Sequence, residues 1–248
     1  MCIFEPNIFT DYHPVEYIVM SSGSYIDTGV SLTGGAIGEM KINIVSGNFD
    51  NGAGPKDGAT SKYNRNYCSF YYDSNLKRYV IGIGAGGYNT VWNDYTFNTD
   101  YTISYNTPAR SYVLNGVSYS YSSKWKDAQN PPYSRWNWVL HANRNADGTA
   151  SPDTGEARVY YYRLCDHNGV LKLDLHPVVR KSDSEPGMYD TVSGTFFTNA
   201  GTGEFVASTS YVLPSYVLPV EYQQVEFLQS NNSSSSNSGV NWIHIDTA

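Results

Sequence analysis

Apolar and polar residues alternate with a period of two in most of the patterned stretches of the chain, and no window sustains the 3.6-residue period of an amphipathic helix. Residues 12–18 lead through a Ser-Ser-Gly-Ser turn to residues 25–29, which predicts two strands and a turn. Residues 37–45, IGEMKINIV, alternate as a strand, and the Gly/Asp/Asn-rich residues 46–66 read as a long surface loop. Strands are predicted at 67–72, 78–83, 101–105, 138–140, 157–164 and 170–175, with loops opening at Pro131-Pro132 and over 143–155. Residues 110–121 form the clearest hairpin, because Asn115-Gly116 suits a type I′ turn whose twist matches the flanking strands. In residues 187–205, GMYDTVSGTFFTNAGTGEF, two short strands flank a Val192-Ser193-Gly194 turn, and an Asn199 to Gly203 turn follows. Short strands at roughly 8 to 12 residue spacing predict an all-β sandwich or barrel.

Residues 1–11 read as an N-terminal arm, since Pro6 and Asn7 interrupt any periodicity, and residues 12–208 as one domain. Residues 209–221, with Leu213-Pro214 and Leu218-Pro219, are a linker by composition. Residues 222–248 then restart the opening pattern. Tyr222, Val225, Glu226, Phe227 and Leu228 repeat the spacing of Tyr12, Val15, Glu16, Tyr17 and Ile18 if His13-Pro14 is taken as the intervening pair, and Ile245-Asp246-Thr247 repeats Ile26-Asp27-Thr28. This second copy stops after its opening strands. Either a longer tandem protein continues it, or the extra strands pair with a neighbouring molecule.

Composition strengthens the β reading: 23 of 248 residues are tyrosine, and only 16% are charged. A formal charge of -7 without a Lys/Arg cluster argues against nucleic acid or an anionic membrane as partner. Cys2, Cys68 and Cys165 lie far apart and are expected as free thiols, neither a disulfide framework nor a zinc site. The N-terminus has no basic segment followed by an apolar run, so no secretion signal is expected, and no run of about 18 apolar residues predicts a bilayer span.

Several stretches together resemble the laminin-G-like, concanavalin-type jelly-roll domain of gut-bacterial surface proteins and of the virion proteins of their phages. They are Val15 to Ile18 with Tyr25 to Gly29, the Asn115-Gly116 hairpin, Leu140 to Asn145, Ala157 to Tyr160 running to Leu171, an Asp174 to Val178 turn, and Gly187 to Asp190 with Phe196 to Phe205. The resemblance covers residues 12–208 and implies a two-sheet antiparallel jelly-roll sandwich. Its departures concentrate in 46–100 and 122–137, where a ligand site is expected.

Such a fold can host a glycosidase, but the related glucanase pattern, Glu-x-Asp-x-x-Glu on one strand, is absent. Asp183 and Glu185 are the only carboxylates two residues apart in the expected strands and loops, and Pro186-Gly187 marks that stretch as loop. Gly82 to Gly87 matches Gly-x-Gly-x-x-Gly without a following helix, so it reads as strand or loop. The histidines are dispersed and no nucleophile elbow occurs, so no enzyme is expected. No cofactor is implied; a surface calcium on the oxygen-rich Asp183 loop is the ion this chemistry admits.

What remains is binding. Aromatic rings hold sugars by their C–H faces while Asn, Asp and backbone groups take the hydroxyls, and Tyr88, Trp92, Asp94, Tyr95 and Trp125 are the expected glycan contacts. Asp127, Tyr133, Trp136 and Trp138 belong to the same wider set. Taken with the resemblance, the chain reads as a non-enzymatic structural or attachment protein of a phage virion, a head fibre, decoration or tail component. Its arm and C-terminal strands would meet other virion proteins, and it is a candidate homo-oligomer. A bacterial cell-surface adhesin and a jelly-roll glycoside hydrolase are the alternatives.

Overall fold

The structure is a computed structural model that describes residues 8–32, 35–53, 67–73, 78–84, 90–91, 96–109, 111–120, 137–145 and 147–210. The chain divides into two compact units, Met1–Leu213 and Pro214–Ala248, and every described residue belongs to the first. One helical turn, α1 (Ile8–Asp11), leads to β1 (Tyr12–Pro14), β2 (Ile18–Met20), β3 (Ile26–Asp27), β4 (Ala36–Ser46) and β5 (Phe49–Gly52). Then come β6 (Tyr67–Asp73), β7 (Arg78–Gly84), β8 (Thr90–Val91), β9 (Asp100–Asn106), β10 (Ser111–Leu114) and β11 (Val117–Ser120). The rest are β12 (Val139–Leu140), β13 (Ala142–Arg144), β14 (Ala150–Pro152), β15 (Glu156–Asp166), β16 (Leu171–Arg180), β17 (Pro186–Asp190), β18 (Phe196–Phe197) and β19 (Phe205–Ala207).

The protein is all-β, and its strands pair antiparallel. Among the described residues a large sheet runs β11-β10-β9-β4-β15-β16-β17-β18, with β1 on β16, and β2 between β15 and β19. A second sheet runs β3-β12-β5-β6-β7-β8, and β13 and β14 form a separate pair. The alternation in β4 explains how the large sheet makes a core. Ala36, Met40, Ile42 and Ile44 are fully buried on one side, while Glu39 and Lys41 between them stay half-exposed. Tyr101, Ile103 and Tyr105 of β9, Val159, Tyr162 and Leu164 of β15, and Leu173 and Leu175 of β16 join that face, and Ile26, Phe49 and Leu140 of the second sheet belong to the same core cluster. Asn51 of β5 donates from Nδ2 to Met40 Sδ of β4 at 3.3 Å, tying the two sheets across this shared core. Each of the fully buried Ile and Leu side chains contributes about 1.5 to 3 kcal/mol by leaving water.

Two features of the core are specific to tyrosine. The Tyr105 and Tyr162 hydroxyls meet at 3.0 Å, one donating to the other, so each buried oxygen has a partner. Tyr105 also lies across its register partner Gly38, where a Cβ would stand 2.2 Å from the ring. Glycine is therefore required at 38 by close approach. At the turn between β10 and β11, Asn115 and Gly116 take φ of 47° and 82°, the type I′ geometry expected from their sequence.

The 199–203 turn closes the body by packing on the β2–β3 turn. Asn199 Oδ1 accepts from the N–H of Tyr25 and of Gly201, and a Cβ on Gly201 would stand 2.0 Å from the Gly23 carbonyl. Asp190 acts similarly one turn earlier, accepting from the N–H of Asp174, Val192 and Ser193.

Four stretches differ from expectation. Residues 46–66 are not wholly loop, because Phe49–Gly52 forms β5 with Asp50 and Asn51 buried. The 143–155 loop contains β14, paired with β13. The Asp174 to Val178 turn is instead the middle of β16, and Pro177 keeps its carbonyl in use by accepting from Val15 N–H at 3.1 Å. Residues 12–18 likewise are two strands, β1 on β16 and β2 beside β15.

Candidate functional site

The polar side of the large sheet carries the most chemically varied side chains among the described residues, and a bulge in β15 shapes it. Val159 pairs with Ile42 and Tyr161 with Lys41, so Tyr160 is an extra residue against β4. An inserted residue locally breaks the two-residue alternation. As a result Val159 and Tyr162 both reach the core, while the adjacent Tyr160 and Tyr161 both make their contacts on the polar side.

Around Tyr160 the contacts converge on Asp100 of β9. Tyr160 donates to Asp100 Oδ1 at 3.0 Å, Asn43 Nδ2 donates to the same oxygen at 2.8 Å, and Lys41 Nζ stands 3.1 Å from Oδ2. Lys41 also lies 4.1 Å from the centre of the Tyr160 ring, and Tyr17 of the β1–β2 link meets that ring edge-on at 5.3 Å. Partial burial acts to raise the Asp100 carboxyl, but hydrogen bonds from Asn43, Lys41 and Tyr160 outweigh it and hold the group below its ordinary range. Burial, and then the bond to Asp100, push the Tyr160 phenol up to about 12, so it stays a donor. Arg158 completes the patch with its guanidinium over the Tyr17 ring, 5.6 Å from its centre.

The same side continues towards β18. Tyr161 donates to Glu39 Oε1 at 2.8 Å, and burial followed by that bond raises its phenol to about 12. Asp174, 1% exposed, is paired with Arg163 at 3.3 Å and His176 at 3.1 Å. Burial works to raise its carboxyl, yet the bonds and charges of His176 and Arg163 hold it far below the usual carboxylate range. Tyr12 then packs on Tyr189 and Phe196, both at 5.1 Å between ring centres, and Arg180 caps Phe196 at 4.7 Å. Rings with polar atoms beside them run across this whole side, an arrangement suited to the alternating C–H and hydroxyl surfaces of a sugar.

Tyr88, Trp92, Asp94, Tyr95 and Trp125 lie outside the described residues, as do Asp127, Tyr133 and Trp136. Trp138 is placed, and it is core: 0% exposed, with its backbone N–H donating to the Val30 carbonyl. Asp183 accepts three bonds from Arg180, the shortest at 2.6 Å, and another from Glu185 N–H. Among the described residues no three His, Cys, Asp or Glu side chains gather to hold a metal ion.

A second polar group lies inside. His141, fully buried and with φ of 61°, donates from Nδ1 to the Ser24 carbonyl at 2.8 Å. Burial lowers its pKa to about 4, against the pull of that bond and of Asp50, so the ring is neutral at pH 7. Arg144 nearby in sequence donates to Asp27, Asn137 and Gly148. These bonds fix backbone, and they account for the Leu140 to Asn145 stretch as scaffold. Comparison with known protein families, curated proteins and solved structures returned no match.

Proposed function

We propose that this protein is a non-enzymatic attachment module that binds glycan on the polar side of its large sheet. The observation that supports the reading is the β15 bulge, which sets Tyr160 and Tyr161 side by side among Lys41, Asn43, Asp100 and Arg158. Bulges re-aim side chains next to binding sites, and rings flanked by fixed hydrogen-bonding groups are what a sugar needs. Of the four described buried carboxylates, Asp174 serves Arg163 and His176 and Asp190 serves backbone N–H groups, which are scaffold roles. A jelly-roll order of strands and a place on a phage virion, as a fibre, decoration or tail component held by residues 1–11 and 222–248, are parts of the proposal that rest on the resemblance. Tyr88, Trp92, Asp94, Tyr95 and Trp125 are its further glycan contacts.

The test is a glycan array with the full chain, repeated with Tyr160→Ala, Trp92→Ala and Trp125→Ala. Binding that Tyr160→Ala weakens at least tenfold supports the sheet face. Binding lost only in the tryptophan variants moves the site, no binding to any glycan removes the reading, and turnover of a bound glycan replaces it with a hydrolase.

A further inference from the structure

Two neighbouring groups on the polar side have unmet hydrogen-bonding capacity of opposite kinds. Arg158 has five N–H donors in a planar fork, and its guanidinium rests on the Tyr17 ring. Among the described residues no carboxylate pairs with it and no acceptor takes its donors. Directly opposite Arg158 in register is Asn43, 3% exposed. Its Nδ2 donates to Asp100 Oδ1, while its Oδ1 is buried without a partner. Reversing the amide would set its oxygen against the Asp100 carboxylate, so the bond to Asp100 fixes which end is left unmet. That oxygen has no exposed surface, so it is not itself a contact for a ligand, and Arg158 carries the site.

The ligand that fits presents a planar anion to the Arg158 fork. We infer that this site takes a carboxylated sugar residue, its carboxylate on the Arg158 fork and its C–H face against Tyr17 and Tyr160. The inference rests on the glycan-binding reading and specifies its ligand. The guanidinium fork matches a carboxylate in two parallel bonds. Local charge limits the ligand to a single negative group. Lys41 is spent on Asp100, and Glu16, exposed and close enough for its charge to act on Tyr160, opposes a second anion. A carboxylated sugar therefore fits where a polysulfated chain does not.

The full chain is titrated calorimetrically with 3′-sialyllactose and digalacturonate, with their methyl esters, and with lactose and an array of neutral and sulfated glycans. Esterification keeps shape and removes charge. At least one acid is expected to bind tenfold or more tighter than its ester; Arg158→Gln abolishes that preference, and Arg158→Lys, which keeps the charge but not the fork, retains part of it. Equal affinity for acid and ester overturns the inference, as does an unchanged preference in Arg158→Gln or tighter binding of sulfated glycans. If Arg158→Gln does not fold, the acid-to-ester ratio of the native chain decides alone. Neutral glycans bound while both acids fail overturn this inference and leave the attachment reading standing; no glycan bound overturns both.

Discussion

Arg144→Met tests the scaffold around the second sheet most directly, because one guanidinium joins three separate segments of the chain. Nη2 meets Asp27 Oδ2 at 2.7 Å, Nε donates to the Asn137 carbonyl at 3.1 Å and Nη1 to the Gly148 carbonyl at 3.1 Å. The Arg144 side chain is 8% exposed and that of Asp27 37%. Water reaches the carboxylate, so the pair is worth only about 1 kcal/mol. Each carbonyl bond adds about 1 kcal/mol, at the low end for a charged donor, because Asn137 and Gly148 are partly hydrated. Methionine keeps much of the stem's packing, and the sum is about 3 kcal/mol. For a body of this size that lowers Tm by about 6 to 12 °C. Urea unfolding followed by circular dichroism gives the free energy, and a cycle with Asp27→Asn isolates the pair at about 0.5 to 1 kcal/mol. A loss below 0.5 kcal/mol in Arg144→Met would refute the reasoning, and zero coupling would refute the ion-pair share of it.

Two further outcomes follow from the core and the polar side. Gly38→Ala is expected to cost about 1 to 3 kcal/mol by driving a methyl into Tyr105, and much less in a Tyr105→Leu background; equal losses in both, measured by urea unfolding, would mean the ring is not the obstacle. Asp174 has a folded pKa below its ordinary 3.8, so its stabilisation is complete above that value and is lost as pH falls below about 4 through the lower folded value. The stability gap between native protein and Asp174→Asn, about 2 kcal/mol at pH 7, should therefore close in acid. A gap that stays constant from pH 7 to pH 2 in denaturant titrations contradicts the assignment.

Strand by strand, legibility followed how directly a residue's role is set by its immediate neighbours. The alternation of residues 37–45, the tyrosines of 101–105 and the Asn115-Gly116 turn announce β4, β9 and the β10–β11 hairpin, because each buries one face or takes a positive φ on its own account. Phe49-Asp50-Asn51-Gly52 reads as turn, and becomes strand because distant groups meet its polar atoms: Asp153 accepts from Asp50 N–H, and Asn51 reaches Met40. Pro177 reads as a stop, yet the neighbouring β1 uses its carbonyl. The site was the least legible part. Tyr17, Lys41, Asp100, Arg158 and Tyr160 come from different strands and links, and a bulge that inserts one residue leaves no mark in the sequence beyond three consecutive tyrosines. Aromatics in predicted loops point to 88–95 and 125, whereas the rings of the polar side lie on strands whose other face is core and, for Tyr17, on the link before β2.

The pairing of β2 with β19 has a mechanical consequence. Ile18, where the chain enters the central strands, lies opposite Ala207, where it leaves them, and Glu16 N–H is already bonded to the Ser210 carbonyl. The two ends of this stretch leave side by side and point the same way. Tension applied between residues 16 and 210 falls on the first hydrogen bond of the pair, then the next, peeling β19 from β2 in sequence instead of shearing all the bonds at once. A body pulled at both ends of this seam would yield gradually, while the β4–β15 ladder stays off the line of force.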